Sequence, residues 1–311
     1  MKVSVIIPFL NEAENIGPLT SALSAYFNSR PHYRAEVVFV NDGSTDDSVS
    51  HLRAAVHDGY EAKLVSLSRN FGSHAALRAG IRVATGDRIT FVYADLQDPL
   101  TLIDQLLGAC EEGGIIAWAS RESTQSKGFE KWFSRTYAAL MKKYAVRTYP
   151  DNGFDVVMFD RKVQEVLNAN VESHSSIFLQ ILTMGFRQSH IRYHKDERKL
   201  GKSKWTLGKK IKLFVDSFVA FSYAPIRFVT LVGVGMFVAG ILVALYLVLR
   251  KLIADDLNAG WPALVSILMV GFGLTNISLG IIAEYLWRTL DAARKRPVYI
   301  VDEIAELNHV R

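Results

Sequence analysis

RITFVYADLQDP, residues 88–99, decides how the chain is read. Its first part is β-branched and aromatic, the make-up of a buried strand, and the strand reading runs from Arg88 to Asp95. Its end places a carboxylate, Asp95, a carboxamide, Gln97, and a second carboxylate, Asp98, in front of Pro99. Polar groups at the end of an apolar run cost free energy unless water or a partner satisfies them. A single such end is explained by a helix cap. The same pattern at several neighbouring strands points to a site.

The pattern does repeat. VSVIIPF (3–9) is a short apolar strand with Pro8 as its stop; Asn11 and Glu12 follow, and a helix is expected over Glu12–Phe27. EVVFVND (36–42) ends in Asp42, and GSTDDS turns into another helix. KLVSLS (63–68) runs into Ser68, Arg69 and Asn70. SHAALRAGIRVA (73–84) has helical spacing and is closed by Thr85, Gly86 and Asp87. A helix from Leu100 to about Gly108 and the strand GIIAWAS (114–120) come after the opening stretch. Strands alternating with helices predict a Rossmann-like, mostly parallel sheet with helices on both faces. Ligands of such sheets bind outside the carboxyl ends of the strands. That rule gathers Asn11, Glu12, Asp42, Ser68 to Asn70 and Asp95 to Asp98 on one rim. Asp46 and Asp87 read as helix caps. No GxGxxG follows the first strand and no Walker A sequence occurs, so the common nucleotide fingerprints are absent.

Further along, residues 127–146 read as an amphipathic helix, and 149–162 as a turn at Asp151, Asn152 and Gly153, then a strand and a helix start. Residues 192–205 form a basic, glycine-containing loop. Residues 206–225 mix lysines with Leu, Phe and Val at helical spacing, as in a helix lying in a membrane interface.

Hydropathy then changes. Phe228–Leu249 and Trp261–Ala283 contain no charged residue. Each exceeds the roughly 20 residues that span a bilayer as helix. Lys209, Lys210, Lys212 and Arg227 precede the first run, and Arg288, Arg294, Lys295 and Arg296 follow the second. The connecting loop balances Arg250 and Lys251 against Asp255 and Asp256. The positive excess on the outer flanks predicts that both termini are cytoplasmic. MKVSVIIPFLNE does not read as a signal peptide, because Pro8 and Asn11 break its apolar stretch. Trp261, Tyr285 and Trp287 read as interface anchors, and Glu284 as a group that reaches the interface or pairs with Arg288. The division expected is a catalytic domain over 1–205, an amphipathic helix over 206–226, a hairpin over 227–290 and a tail over 291–311. The net charge of +5 suits an anionic membrane surface and phosphate-bearing substrates. No nucleic-acid module is recognisable. The single cysteine, Cys110, rules out an internal disulfide.

IPFLNE, VNDGSTDDS, SRNFG, the TGD before a strand, and ADLQDP together resemble the N-terminal domain of family 2 glycosyltransferases, which has the GT-A fold. NGFDVVMFDRKV, RKLGKSKW and SLGIIAEYLWRTLDAARKRPVYIV look like the bacterial polyprenyl-phosphate branch, which is similar to dolichyl-phosphate mannose synthase. The resemblance implies transfer of one sugar, with inversion, from a nucleotide diphosphate sugar to a polyprenyl phosphate such as undecaprenyl phosphate. It implies a UDP donor before a GDP one, Mg²⁺ or Mn²⁺ as cofactor, and the bacterial inner membrane as location; the hairpin itself offers a surface through which a homo-oligomer is expected to pack.

The resemblance also implies roles. Asp95 and Gln97 match metal ligands, and on an extended chain residues two apart share a face. Asp98 either helps them or caps the next helix. The family often has Asp where this chain has Tyr93, which leaves one carboxylate of the usual pair. Mg²⁺ is commonly held by one or two carboxylates with substrate phosphates and water. Pro8, Asn11, Glu12 and Asp42 match positions that hold base and ribose; for Asn11 and Glu12, helix-start chemistry is the alternative. Asn70 and Gly72 match a loop near the donor, and Gly72 alternatively serves backbone conformation only. Asp151 matches an acidic position near the acceptor, or is a turn residue beside Asn-Gly. Arg121, Lys131, Ser134, Arg192, Arg198, Ser203 and Lys204 are the candidate phosphate binders; Lys131 and Ser134 equally suit a solvated helix face. Two other readings stand beside this one. A processive polysaccharide synthase usually carries QxxRW and more spans, and no QxxRW occurs here. A catalytically silent membrane scaffold has Tyr93 as its support.

Overall fold

In a computed structural model of the chain, the residues described are 1–121, 136, 138–143, 146, 148–150, 153–172, 176–194, 224–254, 260–294 and 296–307. They fall into two units, Met1–Phe214 with Pro297–Arg311, and Val215–Arg296.

The first unit is built on β1 (Lys2–Phe9), β2 (Arg34–Asn41), β3 (Glu61–Leu67), β4 (Arg88–Phe91), β5 (Ile116–Arg121), β6 (Val156–Asp160), β7 (Gln188–Tyr193) and β8 (Val301–Leu307). Among the described residues its helices include α1 (Ala13–Asn28), α2 (Ser48–Ala54), α3 (Ser73–Val83), α4 (Leu102–Glu111), α5 (Arg161–Ala169) and α6 (Ile177–Thr183). Among the described residues the strands form one sheet in the order β7-β5-β6-β4-β1-β2-β3-β8. β1, β2, β3 and β4 are mutually parallel, as are β5 and β7, whereas β6 and β8 pair antiparallel with their neighbours.

Alternation along β1 covers both faces. Val3, Val5, Ile7 and Phe9 join one core cluster with Ile16, Leu19 and Leu23 of α1 and Leu102, Ile103 and Leu106 of α4. Ile6 points the other way, onto α3. A Cβ on Gly80 would lie 2.3 Å from Ile6 Cγ2, so only glycine lets α3 come this close.

Two strand boundaries differ from expectation. Pro8 does not stop β1; it lies within the strand, opposite Val40. The Ile6 carbonyl accepts the Val92 N–H, so Ile6 and, two residues on, Pro8 turn their backbone groups toward β4. The β1–β4 pairing ends at Ile6 and Phe91, so the N–H that Pro8 lacks falls beyond the ladder. The second difference is β4 itself, which ends at Phe91 and not at Asp95. Beyond it the Leu96 N–H closes a turn on the Tyr93 carbonyl, and Leu96 has a φ of 51°.

The edge of the sheet at the amino ends of β1 to β4 is closed by a polar network. Glu36 is fully buried and accepts from Ser4 Oγ at 2.5 Å, Thr85 Oγ1 at 2.7 Å, Thr85 N at 2.8 Å and Lys63 Nζ at 2.9 Å. Burial alone raises its pKa, but these donors outweigh it and pull the carboxyl down to about 2. Asp87 accepts the Lys2 N–H at 2.8 Å, so it ties strands and does not cap α3.

β8 comes from residues expected as a tail. It pairs antiparallel with β3, and Arg53 forks onto Glu303.

The second unit contains α7 (Ala224–Ala254) and α8 (Trp261–Arg294). Large apolar side chains are exposed along both, including Phe228, Leu231, Leu242, Phe272 and Leu286. Among the described residues, Val270–Asp291 is long and apolar enough to cross a membrane, and Phe228–Gly240 is a shorter apolar stretch. The interface helix expected over 206–226 lies, up to residue 223, outside the described residues.

Candidate active site

The carboxyl ends of β3, β2, β1 and β4 lie side by side, so the rim expected from sequence forms. At its left, the loops after β1 and β2 are stitched together. Asn11, with a φ of 52°, donates its N–H to Ser44 Oγ at 3.0 Å and accepts the Thr45 N–H on Oδ1 at 2.8 Å. Glu12 donates its N–H to Ser48 Oγ at 2.8 Å, and its carboxylate takes Asn15 Nδ2 at 2.6 Å. Asn11 thus ties the loop after β1 to the loop after β2, and Glu12 stands at the N-cap of α1 without a side-chain cap bond. Asp46 bridges the same loops, accepting from Ala13 N and Ser48 Oγ.

Asp42 is buried and accepts the Phe71 N–H at 2.8 Å and the Gly72 N–H at 3.0 Å. Burial raises its pKa, against the pull of those two N–H groups. It thus anchors the loop after β3, which leaves Asn70 exposed on the rim. Gly72 has a φ of 96° and open space around its Cβ position, so backbone conformation is what requires glycine there. Gly43 is needed for both reasons: its φ is 74°, and a Cβ would lie 2.5 Å from the Arg69 carbonyl carbon.

The centre of the rim is the turn after β4. Asp95 Oδ1 accepts the Gln97 N–H at 3.3 Å, and both side chains are half-buried. Because β4 has ended and Leu96 is left-handed, Asp95 and Gln97 do not sit on an extended chain as expected. Asp98 is buried and accepts the Tyr193 hydroxyl at 2.6 Å, while α4 starts later, with Thr101 at its N-cap.

To the right, antiparallel β6 brings its amino end to the same rim. Asp155, just before β6, accepts Arg121 Nε at 2.9 Å and Nη2 at 2.6 Å. This two-point pair raises the pKa of Arg121 against the effect of burial. The Tyr93 hydroxyl sits among these charges. Burial, then Asp98, Asp155 and Asp95, raise its pKa, with Arg121 opposing. Tyr193 is raised in the same way, by burial first. Tyr93 therefore stays a neutral phenol beside Asp95. Arg192 is exposed on β7, one residue from Tyr193 and so on the opposite face. Asp155 and Tyr193 carry no local signal in the sequence; the antiparallel return of β6 brings the first to the rim, and the carboxyl end of β7 brings the second.

Asp151, Lys131, Ser134, Arg198, Ser203 and Lys204 lie outside the described residues. Among the described residues no three His, Cys, Asp or Glu side chains gather into a metal cage. One half-buried carboxylate, Asp95, fits a hard cation that brings most of its oxygens from water and from a phosphate-bearing substrate.

A rim of polar loops on a mostly parallel sheet agrees with the family comparison. Residues 4–167 match the model of glycosyl transferase family 2, and the chain belongs to that family. An uncharacterised glycosyltransferase of Bacillus subtilis is 32% identical, over 97% of this chain and 94% of the relative. The undecaprenyl-phosphate 4-deoxy-4-formamido-L-arabinose transferase of Proteus mirabilis is 32% identical, over 97% and 94%. The prophage bactoprenol glucosyl transferase homolog of Escherichia coli is 32% identical, over 98% and 99%.

Proposed function

We propose that the chain is a membrane-anchored, inverting glycosyltransferase. It moves one sugar from a nucleotide diphosphate sugar, UDP-linked before GDP-linked, to a polyprenyl phosphate such as undecaprenyl phosphate. The observation that carries this reading is the reach of the relatives named for undecaprenyl phosphate and bactoprenol: they cover 97% and 98% of this chain, well beyond the family domain at residues 4–167.

In this reading an oxygen of the lipid phosphate attacks the anomeric carbon as the bond to the nucleotide diphosphate breaks. The acceptor is already an anion, so orientation and charge neutralisation carry most of the catalysis. Asp95, with Gln97 beside it, would hold Mg²⁺ or Mn²⁺, which supplies Lewis-acid neutralisation of the leaving diphosphate when bound. Asp42 and the loop it anchors receive the base and ribose. Arg121, steadied by Asp155, faces phosphate oxygens, with the basic loop at 192–205 on the acceptor side and Asp151 orienting the acceptor. α7 and α8 form a two-span hairpin with both termini cytoplasmic, on the inner membrane of a bacterium. Copies assemble through their hairpins.

The test uses the purified full chain in detergent with undecaprenyl phosphate, Mg²⁺ or Mn²⁺, and a panel of UDP- and GDP-sugars, the lipid product being read by mass. One monosaccharide added, and lost on chelation, supports the reading and names the sugar. A ladder of longer products would establish a processive synthase. Nucleotide binding with no product from any donor would favour the silent scaffold.

A further inference from the structure

α3 carries a charge that the rim does not use. Arg78 lies midway along the helix and is only 6% exposed. Its Nη2 donates to Gln180 Oε1 on α6 at 2.5 Å, and among the described residues it forms no ion pair with a carboxylate. A neutral amide leaves the charge of a buried guanidinium uncompensated, and isolated buried charge is costly. Arg82 stands one turn further on, adding a like charge where an acidic residue would relieve the first. Glu172 attracts Arg78 but is exposed, while Tyr299 has its pKa raised by burial, with Arg82 and Arg78 opposing.

These groups line one cavity. Arg78, Arg82, Asn168 and Tyr299 surround about 110 Å³ together with Ile81 and Leu167. That is several times the roughly 30 Å³ a single water occupies in the liquid, and suits a group of a few heavy atoms. Two arginines, an asparagine and a tyrosine line one space, and their donors are the chemistry that recognises tetrahedral oxyanions.

We infer that this cavity is a second anion site, separate from the rim, which takes a phosphate group. Two sources share that chemistry. One is a soluble phosphate. The other is a lipid headgroup, since Tyr299 follows Arg294, the last residue of α8, by only five residues. The site does not depend on the transfer reaction proposed above.

The experiment is titration of inorganic phosphate into the full chain in nanodiscs at constant ionic strength, read by calorimetry. Arg82→Ala is compared with Arg53→Ala, a surface arginine outside the cavity lining. Arg82 is exposed, so its loss leaves folding intact, which a melting curve checks; Tyr299→Phe gives a second variant. The expected result is at least a tenfold rise in Kd for Arg82→Ala, a smaller rise for Tyr299→Phe and none for Arg53→Ala. Equal affinity in Arg82→Ala and the unaltered chain, or an equal loss in Arg53→Ala, overturns the site. Discs of phosphatidylcholine alone and discs doped with phosphatidylglycerol separate the sources. Competition by the doped discs, abolished in Arg82→Ala, assigns a headgroup; equal phosphate affinity in both discs assigns a soluble anion. Glycosyl transfer by Arg82→Ala is measured separately, so failure of the site and failure of the proposed activity remain distinct.

Discussion

The two edges of the sheet use polar residues in opposite ways. At the amino edge Glu36 has no exposed surface and is surrounded by donors from β1, β3 and the turn after α3, so its carboxyl is held at about 2. At the carboxyl rim Asp95 is half-buried within a turn that contains a left-handed leucine, and Tyr93 beside it is held neutral. The same strands therefore end in a satisfied network at one side and in accessible, strained backbone at the other. Internal satisfaction fixes geometry; accessible polar groups and local strain are where chemistry is done.

Substitutions can break this contrast. The largest effect is expected at the amino edge. Glu36 has a folded pKa below its ordinary 4.5, so its stabilisation is complete above that value and is lost as pH falls toward about 2. The gap corresponds to about 3 kcal/mol. Glu36→Gln should lower the unfolding free energy at pH 7 by about that amount and flatten its decline between pH 4.5 and 2, as denaturant titrations at several pH values will show. Turnover per folded molecule should be unchanged. Asp95→Asn should do the reverse, with turnover down at least about a hundredfold and an unchanged melting temperature; near-normal turnover at saturating metal would remove its assigned role. Gly43→Ala combines both edges' behaviour. It should cost about 1–2 kcal/mol through its φ alone, with more from the close Arg69 backbone, and it should raise KM for the nucleotide sugar by displacing the Asn70 loop. The smallest effect is expected for Arg53→Ala. Its pair with Glu303 is about half exposed on both sides, so thermal unfolding should register less than about 1 kcal/mol.

How much of this could be read beforehand varied with burial. β1 to β4 are nearly continuous apolar runs because helices cover both faces, and they were legible as strands. β7 and β8 were not. QSHIRY and VDEIAEL are edge strands that bury little, and an exposed strand carries almost no hydrophobic signal. The rim was legible because Asn11, Asp42, Asn70 and Asp95 follow strands in a parallel order. What each carboxylate touches was not. Asp42 on the Phe71 and Gly72 N–H groups, or Asp155 on Arg121, depends on loop paths that no local pattern encodes. Pro8 misled because a proline is tolerated in a central strand wherever its neighbour has already ended.

β8 has a consequence for biogenesis. A ribosome makes β3 some 240 residues before its partner, an interval that can be counted from Leu67 and Glu303. Until then β3 presents an unpaired edge, the feature that recruits foreign strands. The sheet is completed only after α7 and α8 have left the ribosome, so the last strand acts as a late seal, and a chain truncated after α8 should aggregate through β3 while its first four strands fold.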